Sequence, residues 1–340
     1  MQPPRRPVLD EIIAREESGL SPAARRSRRS VRLKPEAPSP FRTAYQLDCD
    51  RIIHTRAFRR LAHKTQVFTA ASGDHFRTRL THTLEVSQIA RALARALRLN
   101  EDLCEAAAMG HDLGHAPFGH AGEKTLNSLC PGGFAHQLQS LRVVDVLAND
   151  GRGLNLTLDS RDGILKHSKG RGPIFVDPPE GPLSFEGMVT RVSDIIAYLA
   201  HDMDDAEEAG ILNRGDIPRE ILDNFGDNAE SRKDAIIRDL LAGCFEREGK
   251  PVLAFSRKME EDMSSLREFM FTKVYRDPKV IAQMDEGRRI VTLIYRSIMK
   301  SDELYRELPL RSLAENRSEA ARDFISGMTD RFAVNYARDL

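Results

Sequence analysis

Between residues 111 and 120 the chain reads HDLGHAPFGH, which gathers His111, Asp112, His115 and His120 into one short stretch. An imidazole beside a carboxylate offers nitrogen and oxygen donors to one divalent cation. That mixed set suits a first-row transition metal, whereas Mg²⁺ alone prefers oxygen. No cysteine or second carboxylate follows at a distance that completes a site locally, so the other donors must come from elsewhere. His82, in RLTHTLEVSQIAR, and Asp194, in RVSDIIAYLAHDMDD, are the candidates. Taken singly, His82 reads as a hydrogen-bonded core histidine and Asp194 as a solvated carboxylate on a helix. The adjacent His111 and Asp112 are harder to place without a cation, because a buried ionised carboxylate is costly when unpaired. Four protein donors on an octahedral ion leave room for water and a phosphate oxygen, an arrangement for metal-assisted phosphoester hydrolysis.

These residues need elements to hold them, and the periodicity is helical. His82, Val86, Ile89, Leu93 and Leu97 form one stripe of a helix over 82–98, with His82 pointing inward at its N-terminal end. Leu103, Ala107 and His111 repeat the spacing over 101–113, and Gly114 is the expected stop. Pro117 separates His115 from His120 and puts both on a turn beside the metal candidates. Over 188–205, Val192, Ile196, Leu199 and Met203 make the apolar stripe, while Arg191, Asp194, Tyr198, Asp202 and Asp205 line another face. Further helices are expected over 231–247, 256–275, 279–300 and 314–338, and a short hairpin or loop over 170–179. The fold class is all-α. The expected division is a tail over 1–40 and one domain over 41–340, with a metal core at about 42–206 and a helical part at 207–340.

Bulk properties are those of an ordinary globular chain: 340 residues, 41% hydrophobic, mean hydropathy −0.43. Fifty-one basic residues balance fifty-one acidic ones, so the net charge calls for no polyanion partner. Locally, Arg25, Arg26, Arg28, Arg29, Arg32 and Lys34 stand together without an acidic neighbour, and seven of the seventeen prolines fall in residues 1–40. That composition predicts an irregular or partly helical, solvated leader in preference to a weak nucleic-acid contact, since no aromatics interleave the arginines. Cys49, Cys104, Cys130 and Cys244 form no CxxC pair, which fits a reducing compartment. The N-terminus lacks the apolar core of a secretory signal, and no apolar run is long enough to span a bilayer. A cytoplasmic location is expected.

The order His82, His111-Asp112, Asp194 resembles the HD superfamily of metal-dependent phosphohydrolases. Seven blocks in sequence are similar to its dNTP triphosphohydrolase branch, the dGTPase-like proteins: 42–68, 79–91, 111–127, 134–144, 162–168, 194–206 and 327–333. The resemblance implies an HD-domain helical bundle with additional C-terminal helices. It implies His82, His111, Asp112 and Asp194 as ligands of a divalent metal, whether Mn²⁺, Mg²⁺, Fe²⁺, Ni²⁺, Co²⁺ or Zn²⁺. It places His115, His120, Glu123 and His136 around the α-phosphate, in proton transfer or phosphate contact, with donor and acceptor left open. Gln66, Arg79, Tyr198 and Asp202 then become substrate contacts, to deoxyribose, phosphate, phosphate or sugar, and the 3′-hydroxyl respectively.

The implied reaction is cleavage of a dNTP to deoxynucleoside and triphosphate, by a homo-oligomer (tetramer or hexamer) that a second dNTP can activate. One position departs: a lysine that helps bind triphosphate in the animal relative is Ile195 here, so Arg60, Lys64, Lys166 or Arg267 must meet that charge. GHAGEKT at 119–125 is no Walker loop, because Glu123 interrupts the glycine and lysine and no strand precedes it. The (p)ppGpp hydrolases are set aside because LGH, not an acidic pair, follows His111-Asp112. Two alternatives stay open, an HD-type phosphatase or phosphodiesterase on another nucleotide and a catalytically silent nucleotide sensor.

Overall fold

The computed structural model describes residues 8–67, 76–170, 172–247 and 250–340. The start of the Pro/Arg-rich tail, Phe68 at the end of the 42–68 block and Arg171 within 170–179 lie outside the described residues. Helices account for nearly all the regular structure. The first half comprises α1 (Val8–Gly19), α2 (Ala44–Ile53), α3 (Arg56–Arg60), α4 (Arg79–Ala96), α5 (Glu101–Gly110), α6 (Gly119–Leu129), α7 (His136–Arg142), a short α8 (Ala148–Gly151), α9 (Leu158–Lys166) and α10 (Phe185–Glu208). The second comprises α11 (Arg219–Phe225), α12 (Ala229–Gly243), α13 (Arg257–Lys273), α14 (Pro278–Lys300), α15 (Asp302–Glu307), α16 (Arg317–Ser326) and α17 (Asp330–Arg338). A two-stranded antiparallel hairpin, β1 (Phe245–Arg247) and β2 (Lys250–Val252), separates α12 from α13.

Local chemistry accounts for the helix starts that matter. Thr78 and Thr81 close a capping box on α4, Asn100 caps α5 ahead of Glu101 and Asp102, and Ser184 caps α10. The apolar stripes meet as their spacing predicts: Val86, Ile89 and Leu93 of α4 share one core cluster with Val192, Ile196, Leu199 and Met203 of α10. A second cluster joins Leu126 of α6 to Ile290, Val291, Ile294, Ala321 and Ile325 of α14 and α16. A third joins Ile52, Ala106, Met109, Leu113, Leu156 and Ile164. Asp112 follows Met109 in sequence, so the metal candidates sit where α4, α5, α9 and α10 converge.

Some expected boundaries differ. The helix predicted over 231–247 stops at Gly243, where the chain crosses its own later segment so closely that a Cβ would lie 2.1 Å from the Ala254 oxygen. The segment 314–338 is two helices, because Thr329 starts a fresh cap by accepting the amide of Phe332. The arginine-rich stretch is not a solvated leader over its described part. The Arg32 guanidinium reaches Asp48 at 2.6 Å and the carbonyls of Asn155 and Ala44, and Arg25 donates to the Leu183 carbonyl. Arg28, Arg29 and Lys34 remain exposed.

The C-terminal GMTDRFA block has a positional role. Asp330 accepts the amide of Thr65 through one oxygen and that of Phe118 through the other, both at 2.9 Å. Buried Lys64 donates to the carbonyls of His115 (2.5 Å) and Ser326 (2.7 Å). The far end of the chain therefore holds both loops that flank the candidate site. Asp330→Ala should lower stability by about 2 kcal/mol through the two stranded amides, read as a reduced urea midpoint with unchanged slope.

Candidate metal centre

The turn 111–114 is pinned before any ligand is considered. Ser140 of α7 donates to the His111 carbonyl at 2.7 Å and accepts the Gly114 amide at 2.9 Å. At Gly114 a Cβ would fall 2.2 Å from the Ser140 nitrogen, so only glycine allows this contact. His111 caps the end of α5, His82 comes from the first turn of α4, and Asp194 lies midway along α10. His82, His111 and Asp112 each offer a donor atom within 4.8 Å of the others'. Asp194 joins them, with Oδ1 3.0 Å from His82 Nε2.

These residues fit a cation. His111 Nδ1 lies 2.6 Å from the Ala108 carbonyl, which can only accept, so Nδ1 carries the hydrogen and Nε2 presents a lone pair. That Nε2 is buried and has no hydrogen-bond partner among the described residues. His82 is oriented from behind, its Nδ1 3.0 Å from His201 Nε2. Burial acts to raise the Asp112 pKa, but His111, Arg79, His115 and His136 hold it well below the carboxylate range. Asp194 behaves alike, with His82, His111 and His167 outweighing burial. Two ionised carboxylates and two imidazoles with inward Nε2 atoms could hold a divalent metal.

A second group adjoins the first. Glu123 Oε1 accepts the His136 amide at 2.9 Å and lies 2.8 Å from its Nδ1. Its Oε2 is 3.2 Å from Nδ1 of His120 and 3.8 Å from Nε2 of His115. Burial would raise the Glu123 pKa, yet His120 and His136 hold it far below normal. Burial lowers His136, but Glu123 more than reverses this and raises it. His115 is fully buried and held well below normal by burial and then by Arg79. His120, by contrast, is mostly exposed, with a side chain 65% accessible.

The remaining sequence candidates are distributed unevenly. Arg79 is buried and donates to Asp112 Oδ2 at 2.6 Å. Gln66 has an Oε1 that is buried without a partner among the described residues, which a plain surface amide would not show. Tyr198 is pushed up to about 12, chiefly by burial, and has Arg267 beside it. Asp202 is buried, accepts from Tyr275 at 2.5 Å and lies 2.9 Å from His201 Nδ1. Of the four basic residues, Lys64 is committed to two carbonyls and Lys166 pairs with Asp162 at 2.9 Å. Arg60 lines a separate cavity of about 770 Å³, together with Arg56, Arg59, Asn149 and Phe332. Arg267 alone of the four stands beside the Tyr198 side chain.

His167, His201 and Tyr275 enter the site without having been singled out. His167 falls in the 162–168 block, but nothing in its spacing marks it as inward until α9 is docked on α5. Arg191 is a clamp, not a ligand group: its guanidinium donates to the carbonyls of Lys166, Ser168, Pro173 and Ile174.

Helices that bring two histidines and two aspartates together in this order define an HD-type protein, and the HD domain family matches residues 79–216. A phosphohydrolase-associated domain matches residues 253–339. A deoxyguanosinetriphosphate triphosphohydrolase-like protein of Caldanaerobacter subterraneus subsp. tengcongensis is 48% identical over 317 residues, covering 93% of this chain and 90% of its own. A protein of the same description from Desulfatibacillum aliphaticivorans is 46% identical, with 96% of each chain covered. Among solved structures, a hypothetical protein from Aquifex aeolicus aligns over 85% of this chain and 67% of its own, at 19% identity and a TM-score of 0.46. The chain belongs to the HD-domain family of deoxyguanosinetriphosphate triphosphohydrolase-like proteins, a family of hydrolases. Among the described residues no helix is long and apolar enough to cross a membrane.

The Glu123–His136 pair sets a pH window. Glu123 is depressed, so its contribution is present above the ordinary value of 4.5 and lost as pH falls below it. His136 is raised, so its contribution is present below 6.5 and lost as pH rises through the higher folded value. In metal-free protein Glu123→Gln should therefore depress the melting temperature most near pH 6, by about 1–3 °C for about 1–2 kcal/mol. The deficit should shrink on either side of that window in thermal scans across pH.

Proposed function

We propose that the protein is a metal-dependent dNTP triphosphohydrolase that cleaves its substrate at the α-phosphorus, releasing deoxynucleoside and inorganic triphosphate. The observation that carries this is the buried Nε2 of His111, without a hydrogen-bond partner among the described residues and 3.5 Å from Asp112 Oδ1, beside two carboxylates held ionised. His82, His111, Asp112 and Asp194 are the proposed ligands. When bound, a divalent ion there would polarise the phosphoryl group and make a water more acidic. The family relationship supports the choice of a nucleotide substrate; the 3′-hydroxyl contact at Asp202 and the deoxyribose contact at Gln66 belong to the same proposal.

The chain's own groups supply the proton chemistry. Glu123, held ionised, keeps Nδ1 of His120 engaged, so Nε2 of this mostly exposed ring is the nitrogen left to meet a substrate. A protonated His120 can thus deliver its Nε2 proton to the leaving 5′-oxygen while Glu123 stabilises the ring's charge. His115 and His136, on either side of Glu123, complete the group assigned to the α-phosphate, and Arg79 holds Asp112 in place for it. Assembly as a tetramer or hexamer, activation by a second dNTP and a weak nucleic-acid contact by Arg28 and Arg29 are finer parts of this reading.

Purified protein supplied with Mn²⁺ and each dNTP in turn, then all four together, should yield deoxynucleoside and triphosphate on ion-exchange chromatography. His111→Ala and Asp194→Ala should abolish turnover, and His120→Asn should reduce kcat by about 10²–10⁴-fold. Monophosphate or free phosphate as product would replace the proposal with a phosphatase or phosphodiesterase. Nucleotide binding without turnover would make the protein a sensor.

A further inference from the structure

His120 is the most exposed member of the group assigned to the α-phosphate. Its ring reaches Glu123 at 3.2 Å and meets the edge of the His115 ring, but its side chain is 65% accessible. Where such a ring points is therefore set mainly by the backbone that carries it. That backbone bends sharply: Phe118 has φ 62 and Gly119 φ 56, two left-handed residues in succession just before His120. Glycine takes such a bend freely, whereas a bulky side chain takes it only where its surroundings over-determine it.

Those surroundings come from the C-terminal half of the chain. Asp330 accepts the Phe118 amide at 2.9 Å, and the Phe118 side chain packs against the cluster that includes Ile290 and Val291. Gly287, buried midway along α14, lies directly against that side chain. A Cβ at Gly287 would fall 2.7 Å from the Cβ of Phe118 and 2.8 Å from its Cγ. A glycine inside a helix weakens it relative to alanine, so one in this place needs a packing reason. The close approach of Phe118 is that reason.

We infer that Gly287 and Phe118 are positioning residues for the proton donor. The Phe118 side chain, seated where α14 lacks one, holds the left-handed bend that aims His120 at the leaving 5′-oxygen. The inference rests on the assignment of His120 made above. In that step the oxygen of water bonds to the α-phosphorus, the bond to the 5′-oxygen breaks, and the Nε2 proton passes to that oxygen. His111 and Asp112 lie on a turn pinned separately by Ser140, so a shifted Phe118 should disturb proton delivery and spare the metal ligands.

Full-length Gly287→Ala, Phe118→Gly, their double variant and His120→Asn would be assayed with Mn²⁺ and the dNTP that wild type cleaves fastest. The assay is repeated with the analogue carrying sulfur in place of the bridging 5′-oxygen, because a thiolate leaves without needing a proton. Gly287→Ala and Phe118→Gly should each lower kcat by about 10–100-fold, with KM and Mn²⁺ affinity unchanged. The double variant should be no slower than Phe118→Gly, since the added methyl then has nothing to strike. With the sulfur analogue all four should approach the wild-type rate. Full kcat in either single variant while His120→Asn is slow would overturn the inference. So would additive losses in the double variant, or a deficit that persists with sulfur when that of His120→Asn does not. Full kcat in His120→Asn would overturn the assignment of the acid, and no turnover of any dNTP by wild type would overturn the proposed function, each taking the inference with it. If Gly287→Ala loses cooperative urea unfolding, the oxygen-to-sulfur comparison in Phe118→Gly decides alone.

Discussion

An ionised carboxylate at 3% exposure, Asp112, is the constraint around which the molecule is arranged. Removing a carboxylate from water costs several kcal/mol after relaxation, so it survives only with charged and hydrogen-bonding neighbours on all sides. Arg79 provides one from α4, and His111, His115 and His136 provide others from the turn and from α7. Each of those groups is then buried in turn and needs its own partner. Ala108, Glu123 and His201 are the next layer, and they fix which ring nitrogen carries each hydrogen.

This layered requirement explains why the fold is helical and tight where it is. Two histidines can look at one carboxylate from adjacent helices only if the backbones approach closely. Small residues allow this at α5, α9 and α10: a Cβ on Gly163 would lie 2.7 Å from that of Ala107, and Gly187 faces Gly163 across the same gap. The apolar stripes of α4 and α10 meet without regard to the site. Their polar edges are thereby delivered to it, which is how His82 comes within hydrogen-bonding distance of Asp194.

Much of this was legible in advance, for identifiable reasons. The stripe of Val86, Ile89 and Leu93 has the helical period. Adjacent His111 and Asp112 are hard to place without a cation, although the helix expected over 101–113 ends at Gly110 and leaves them on a turn. The partners of His167 and His201 were not legible, since they lie 31 and 119 residues away and no local pattern marks a side chain as second to a ligand. Lys64 misled for the same reason: its acceptors are 51 and 262 residues distant, and a lysine in a basic run reads as free charge. The arginines near residue 30 misled likewise, because Asn155 and Leu183, whose carbonyls take them up, are far along the chain. Long-range pairing, not propensity, separates what was readable from what was not.

Lys64 and Asp330 also set an order of events in the cell. During synthesis, α4, α5 and α10 can fold as soon as each emerges, because their stripes pack on one another. The loops at 64–66 and 115–118 have no acceptor at Ser326 and no carboxylate at Asp330 until those residues leave the ribosome. Closing so long a loop is a late event in folding. The nascent chain therefore carries its histidines and aspartates long before it holds them in place, and competence arrives only with the last helices.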